Sequence, residues 1–129
     1  MKRKVHQKQR SLLHSFSYAF NGVRYAIYSQ RNMWIHCIIG LIAILLASYF
    51  DISTNEWIAL YISILFVIVT ELLNTAIELS VDLTTRKRKY RAKLSKDVAA
   101  AAVLLSALNS CIIGYLIFYN RLVTLFSGG

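Results

Sequence analysis

Three long apolar stretches, separated by short polar or charged segments, dominate the chain. The first, roughly Trp34 to Phe50, is just long enough to cross a bilayer core of about 30 Å as a helix. The second runs from Trp57 to about Leu83. The third covers about residues 94 to 119, with its apolar part from Val98 to Tyr119. Ahead of them, Leu12, Leu13, Phe16, Ala19, Phe20, Val23 and Ile27 recur at helical spacing, and Lys8, Arg10, Arg24 and Arg31 are available for the opposite side. That pattern predicts one or two amphipathic helices over about 6 to 31 lying on a membrane surface. The fold class expected is all-α integral membrane, three transmembrane helices plus an N-terminal amphipathic surface helix.

The second apolar stretch is interrupted by Glu71, Asn74, Glu78 and Asp82. At 100° per residue, their spacing of 3, 4 and 4 places all four within an arc of about 80°. With Trp57 at one edge of the core, the other edge falls near Ile77, so Glu71 lies about 9 Å inside and Asp82 among the headgroups. Charge at that depth is costly, and such a residue faces a partner helix or a polar cavity and is by default a functional candidate. In the third stretch Ala102, Ser106, Ser110 and Gly114 repeat every four residues, a stripe on which another helix can pack closely.

Composition supports the same picture. Of 129 residues 57% are hydrophobic, Pro is absent and there are only 5 Gly, so long helices form at little cost and no soluble catalytic domain fits. Any chemistry must be built from helix faces and short loops. Cys37 and Cys111 both fall in apolar runs, which predicts free buried thiols rather than a disulfide. The net charge of +9 is concentrated in the N-terminal segment and in Arg86 to Lys93, whereas Asp51 to Glu56 is acidic. By the positive-inside rule the N-terminus and the second loop are cytoplasmic and the C-terminus, despite Arg121, lies outside. No signal peptide is expected, because the first apolar run starts late and lacks a small-residue cleavage pattern. Trp34 and Trp57 read as interfacial anchors, and Asp51 and Glu56 as solvated loop charges.

An acidic face at a membrane surface, flanked by cations, has the parts for phosphoryl transfer. Carboxylates share Mg²⁺ with substrate phosphates, Lys96 offers a phosphate-binding point charge beside Asp97, and a deeper carboxylate can take a hydroxyl proton. Soluble nucleotide signatures are missing: the chain has no Gly-rich loop ending in Gly-Lys-Ser/Thr and no His-Arg-Asp catalytic loop. The basic segment Arg86 to Lys93 suits either anionic headgroups or a polyphosphate, and the surface helix either anchors the protein or roofs a site.

Glu71-Leu-Leu-Asn74-Thr-Ala-Ile-Glu78, then Val81-Asp82 and Ala92-Lys-Leu-Ser-Lys96-Asp97, closely resemble the bacterial integral-membrane diacylglycerol kinase and undecaprenol kinase family. Upstream, Ser15 to Gly22 and Gln30 to His36 resemble the branch that includes Gram-positive undecaprenol kinases, and the likeness covers residues 11 to 118. It implies a single membrane kinase domain in the cell inner (cytoplasmic) membrane that assembles as a homotrimer. ATP and Mg²⁺ would meet a lipid alcohol at a subunit interface on the cytoplasmic side. On this resemblance Glu71 is the general base, Glu78 and Gln30 are the metal ligands, and Asn74 orders the site. Tyr18, Lys87, Arg88, Lys89, Lys96 and Asp97 contact the nucleotide. Undecaprenol is the preferred acceptor and diacylglycerol the alternative. Two positions depart from the family pattern: Gln30 stands where many members carry a metal-binding Glu, and Ser11 where an Arg is common, with Arg10 adjacent.

Other readings compete. Glu71 pairs with Lys96 for packing alone, or Glu71, Glu78 and Asp97 form an ion or proton pathway, or the chain is a basic lipid-binding scaffold. The pathway is disfavoured because Trp57 to Val69 offers little beyond Tyr61 and Ser63, and the scaffold leaves the buried acidic face unexplained. His36 reads as a hydrogen-bonding residue at a helix entrance, since it lacks a visible set of metal partners.

Overall fold

The computed structural model describes residues 12–84 and 89–127, all in helices apart from short connections. Helix α1 spans Leu12–Ser29, α2 Arg31–Tyr49, α3 Thr54–Thr84 and α4 Tyr90–Phe126. Three of these, α2 to α4, are long and apolar enough to cross a membrane. The N-terminal pattern therefore yields one described helix, α1, and α4 extends beyond the predicted stretch at both ends. At 31 and 37 residues, α3 and α4 measure about 46 and 55 Å, so each outruns a 30 Å core.

The breaks between helices have local causes. Gln30, with φ −111° and ψ 113°, is the single extended residue that separates α1 from α2. At the other end of α2, Asp51 adopts a left-handed φ of 46°, a conformation that Asp tolerates better than most residues. The Ile52 N–H reaches back to the Ala47 carbonyl at 3.3 Å, and Ile52 is buried near it, which together close α2 in a Schellman motif. Ser53 and Glu56 then open α3 with a capping box: the Ser53 N–H donates to Glu56 Oε2 at 2.8 Å and the Glu56 N–H to Ser53 Oγ at 3.4 Å.

Glu56 is thus not a solvated loop charge. Its carboxylate also receives both Nη atoms of Arg121 from the end of α4, at 2.8 and 3.0 Å, and Arg121 donates to the Ile117 carbonyl as well. This bidentate pair closes the far end of the α3/α4 hairpin over a cluster of Ala47, Ile52, Leu60, Ile117 and Phe118, and it neutralises the cation that ran against the charge rule. Arg121→Ala is expected to lower the thermal midpoint in detergent, as is Glu56→Gln, and the double variant should lose little more than either alone. Fully additive losses would mean that the two residues act independently.

Helix packing is tightest between α3 and α4. Ala99, Val103, Ser106, Ile117 and Phe118 form the buried face of α4, and Ser106 Oγ lies 2.8 Å from Thr70 Oγ1. The packed seam is therefore rotated from the predicted stripe: Ser106 belongs to it, but Ala102 is exposed and nothing stands within 4 Å of where a Gly114 Cβ would be. The close approach that does need a glycine is between α2 and α3, where a Cβ on Gly40 would sit 3.1 Å from the Ile64 side chain. Cys37 and Cys111 are free as predicted, but both are exposed rather than buried. Three apolar spans have more apolar surface than their own seams can cover, so residues in apolar runs also point outward.

Candidate active site

The four polar residues of α3 lie on one side of an uninterrupted helix and become progressively more exposed along it. Glu71 is 1% exposed and Asn74 7%, Glu78 is half-buried and Asp82 is exposed. Glu71 Oε1 and Asn74 Oδ1 are buried without a hydrogen-bond partner among the described residues. Buried polar atoms are seldom left unpaired, so both are sites where a bound group would find a partner.

Gln30 reaches this face from 48 residues away because its extended backbone sets it at the α1–α2 junction, beside α3. Its Nε2 donates to Glu78 Oε2 at 3.2 Å, while Asn74 Nδ2 donates to Glu78 Oε1 at the same distance. The two residues assigned to a metal are thus neighbours, with Asn74 between the base and the carboxylate. One carboxylate with amide oxygens close by is a hard-oxygen donor set, and the unpartnered Asn74 Oδ1 adds a buried acceptor, so the residues fit Mg²⁺. Three protein carboxylates or imidazoles are not gathered anywhere among the described residues. The set therefore suits a metal shared with phosphate oxygens.

Lys96 pairs with Asp82 at 2.6 Å, not with Glu71, which removes the packing pair as an account of the buried acid. Asp97 is exposed on α4 next to it. Lys89, just before α4, lines a separate hollow of about 470 Å³ with Arg91, Ser95, Ser80 and Thr84. Tyr18 is exposed on α1 and lines no part of the cleft at Glu71. Lys87 and Arg88 lie outside the described residues, as do Arg10 and Ser11.

That cleft, about 270 Å³, opens between α2 and α4 with α3 as its floor. Asn32, His36, Glu71 and Asn74 make its polar part; Ile35, Val103, Leu104, Ala100 and Ala107 make apolar walls. The sequence reading missed Asn32 and undervalued His36. Their signal was present: Ile35 and His36 follow Asn32 by 3 and 4 residues at the start of α2, so the three share one helix face. What could not be read was that this face turns toward Glu71. A hydroxyl at the polar groups, with an apolar tail against the apolar ones, would place its oxygen beside a buried carboxylate.

The chain matches the family model described as prokaryotic diacylglycerol kinase over residues 17–118. It is 40% identical over 116 residues to a diacylglycerol kinase of Synechocystis sp., across 89% of this chain and 66% of that protein. To the undecaprenol kinase of Bacillus subtilis it is 39% identical over 108 residues, covering 84% of this chain and 88% of the other. A diacylglycerol kinase of Escherichia coli K12 is 24% identical over 110 residues.

Proposed function

The chain belongs to the prokaryotic diacylglycerol kinase family, a family of ATP-using membrane lipid kinases, and from that premise we propose that it phosphorylates undecaprenol at the cytoplasmic face of the cell inner membrane. The observation that carries the reading is the buried Glu71 in a cleft lined by polar and apolar side chains, with Asn74 of the Gln30–Asn74–Glu78 cluster one helical turn away. In the proposed reaction the acceptor hydroxyl lies against Glu71, which takes its proton as the oxygen attacks the γ-phosphorus of ATP and ADP leaves with the bond electrons. Mg²⁺, when bound, neutralises charge on the phosphate oxygens. Glu78, Asn74 and Gln30 would hold it, and the apolar walls of the cleft favour a lipid tail over water beside them.

Lys96, Asp97, Tyr18 and the segment Lys87, Arg88 and Lys89 form the proposed nucleotide side. Within one chain neither Tyr18 nor Lys89 lines the cleft at Glu71 and Asp97 is exposed, an arrangement suited to a site completed between copies, and the proposed assembly is a homotrimer. The basic N-terminal segment and second loop favour a cytoplasmic N-terminus.

Undecaprenol is favoured by the even coverage of the Bacillus subtilis protein and by the likeness of Ser15 to Gly22 and Gln30 to His36 to the undecaprenol kinase branch. Diacylglycerol is the second reading, favoured by the Synechocystis relative. Purified protein in lipid nanodiscs, given radiolabelled Mg-ATP and either alcohol, is expected to label undecaprenol. Label on diacylglycerol alone would select the second reading, and label on neither would remove this proposal.

A further inference from the structure

A base that is 1% exposed can act once and must then lose its proton. If Glu71 takes the acceptor proton, as proposed above, each turnover leaves a protonated carboxyl that cannot serve again until the proton reaches water. The surroundings offer few exits. Asn74 presents an amide, which does not carry protons, and the Thr75 hydroxyl is committed to the Glu71 carbonyl at 2.9 Å. Glu78, two turns further along α3, already accepts from both Gln30 and Asn74. From α4 the cleft receives only Ala100, Val103, Leu104 and Ala107, and α1 contributes nothing to its lining. Among the described residues His36 is the one other titratable side chain lining the cleft, within electrostatic reach of Glu71 and only half-buried.

We propose that His36 is a positioning residue that serves Glu71 as its proton outlet. After transfer, neutral imidazole accepts the proton from the Glu71 carboxyl, restoring the carboxylate. The imidazolium then releases it to water at the exposed edge of the cleft, so no proton or electron is left unaccounted for. Imidazole suits the step because one ring nitrogen can take up a proton while the other gives one up. This assignment rests on Glu71 being the base. It gives His36 a role in turnover rather than in substrate binding.

The test uses full-length protein in lipid nanodiscs with saturating Mg-ATP and whichever lipid alcohol it phosphorylates. His36→Ala and His36→Gln are each expected to lower kcat by about 10-fold or more, with KM for ATP and lipid little changed. Free imidazole in the buffer should restore much of the alanine variant's rate. Glutamine fills the site and offers hydrogen bonds but cannot shuttle a proton, so a glutamine variant with the parent's kcat overturns the proposal. A slow alanine variant that ignores added imidazole overturns it too. Should the alanine variant fail to fold, the glutamine variant decides alone. An active Glu71→Gln enzyme would remove the base assignment itself, whereas an inactive one beside a fully active His36→Gln removes only the proton outlet.

Discussion

Glu71→Gln is expected to lower lipid phosphorylation by about 10²- to 10⁴-fold, the range supplied by a positioned general base, while KM for ATP stays nearly unchanged. Glutamine has the same shape as glutamate and keeps the packing around a side chain that is 1% exposed, so the loss would report proton acceptance. The same substitution should raise the thermal midpoint, because a neutral amide is cheaper to bury than an acid whose Oε1 has no partner among the described residues. Opposite signs for activity and stability are the signature of a residue retained for chemistry. Radiolabel transfer and thermal unfolding on one preparation check both. A stabilised variant with full activity would make Glu71 a dispensable buried acid, and a destabilised one would make it a packing residue.

Glu78 should control the response to metal. Glu78→Gln removes the carboxylate from the cluster with Gln30 and Asn74, and the Mg²⁺ concentration for half-maximal rate is expected to rise at least about 10-fold, with a fall of about 10²-fold in rate. Gln30→Glu should act in the opposite direction. It replaces an amide that donates to Glu78 at 3.2 Å with a second carboxylate. Two such charges about 4 Å apart repel by about 4 kcal/mol at an effective dielectric constant of 20. Without Mg²⁺ the Gln30→Glu protein should therefore unfold at lower temperature, and with Mg²⁺ it should reach half-maximal rate at a lower metal concentration. Rate against Mg²⁺ concentration, together with thermal unfolding with and without the metal, tests the pair. Unchanged curves in both variants would remove Glu78 and Gln30 as metal ligands.

The membrane fold was legible because the bilayer makes length and apolarity nearly sufficient evidence: a run of about 20 apolar residues has few other stable states. The face shared by Glu71, Asn74, Glu78 and Asp82 was equally legible, since helical spacing alone aligns residues within one element. The exposure of Cys37 and Cys111 was misread for a related reason. Apolarity reports that a residue avoids water, but it does not distinguish a protein interior from an outward apolar face. Glu56 was misread because its partner, Arg121, is 65 residues away, although the Ser53 to Glu56 spacing did carry the capping signal.

From sequence alone came the three apolar spans, the amphipathic entry helix, the shared polar face of α3 and the resemblance to lipid kinases, all properties of short-range order or composition. Tertiary structure decided which faces meet. It turned Gln30 onto Glu78, set His36 and Asn32 into the cleft at Glu71, gave Lys96 to Asp82 and rotated the α4 seam away from the small-residue stripe. Each of these depends on how one helix is rotated and shifted against another. That is fixed by side-chain interlocking, such as Gly40 against Ile64 and Thr70 against Ser106, and has no counterpart in the periodicity of any single helix.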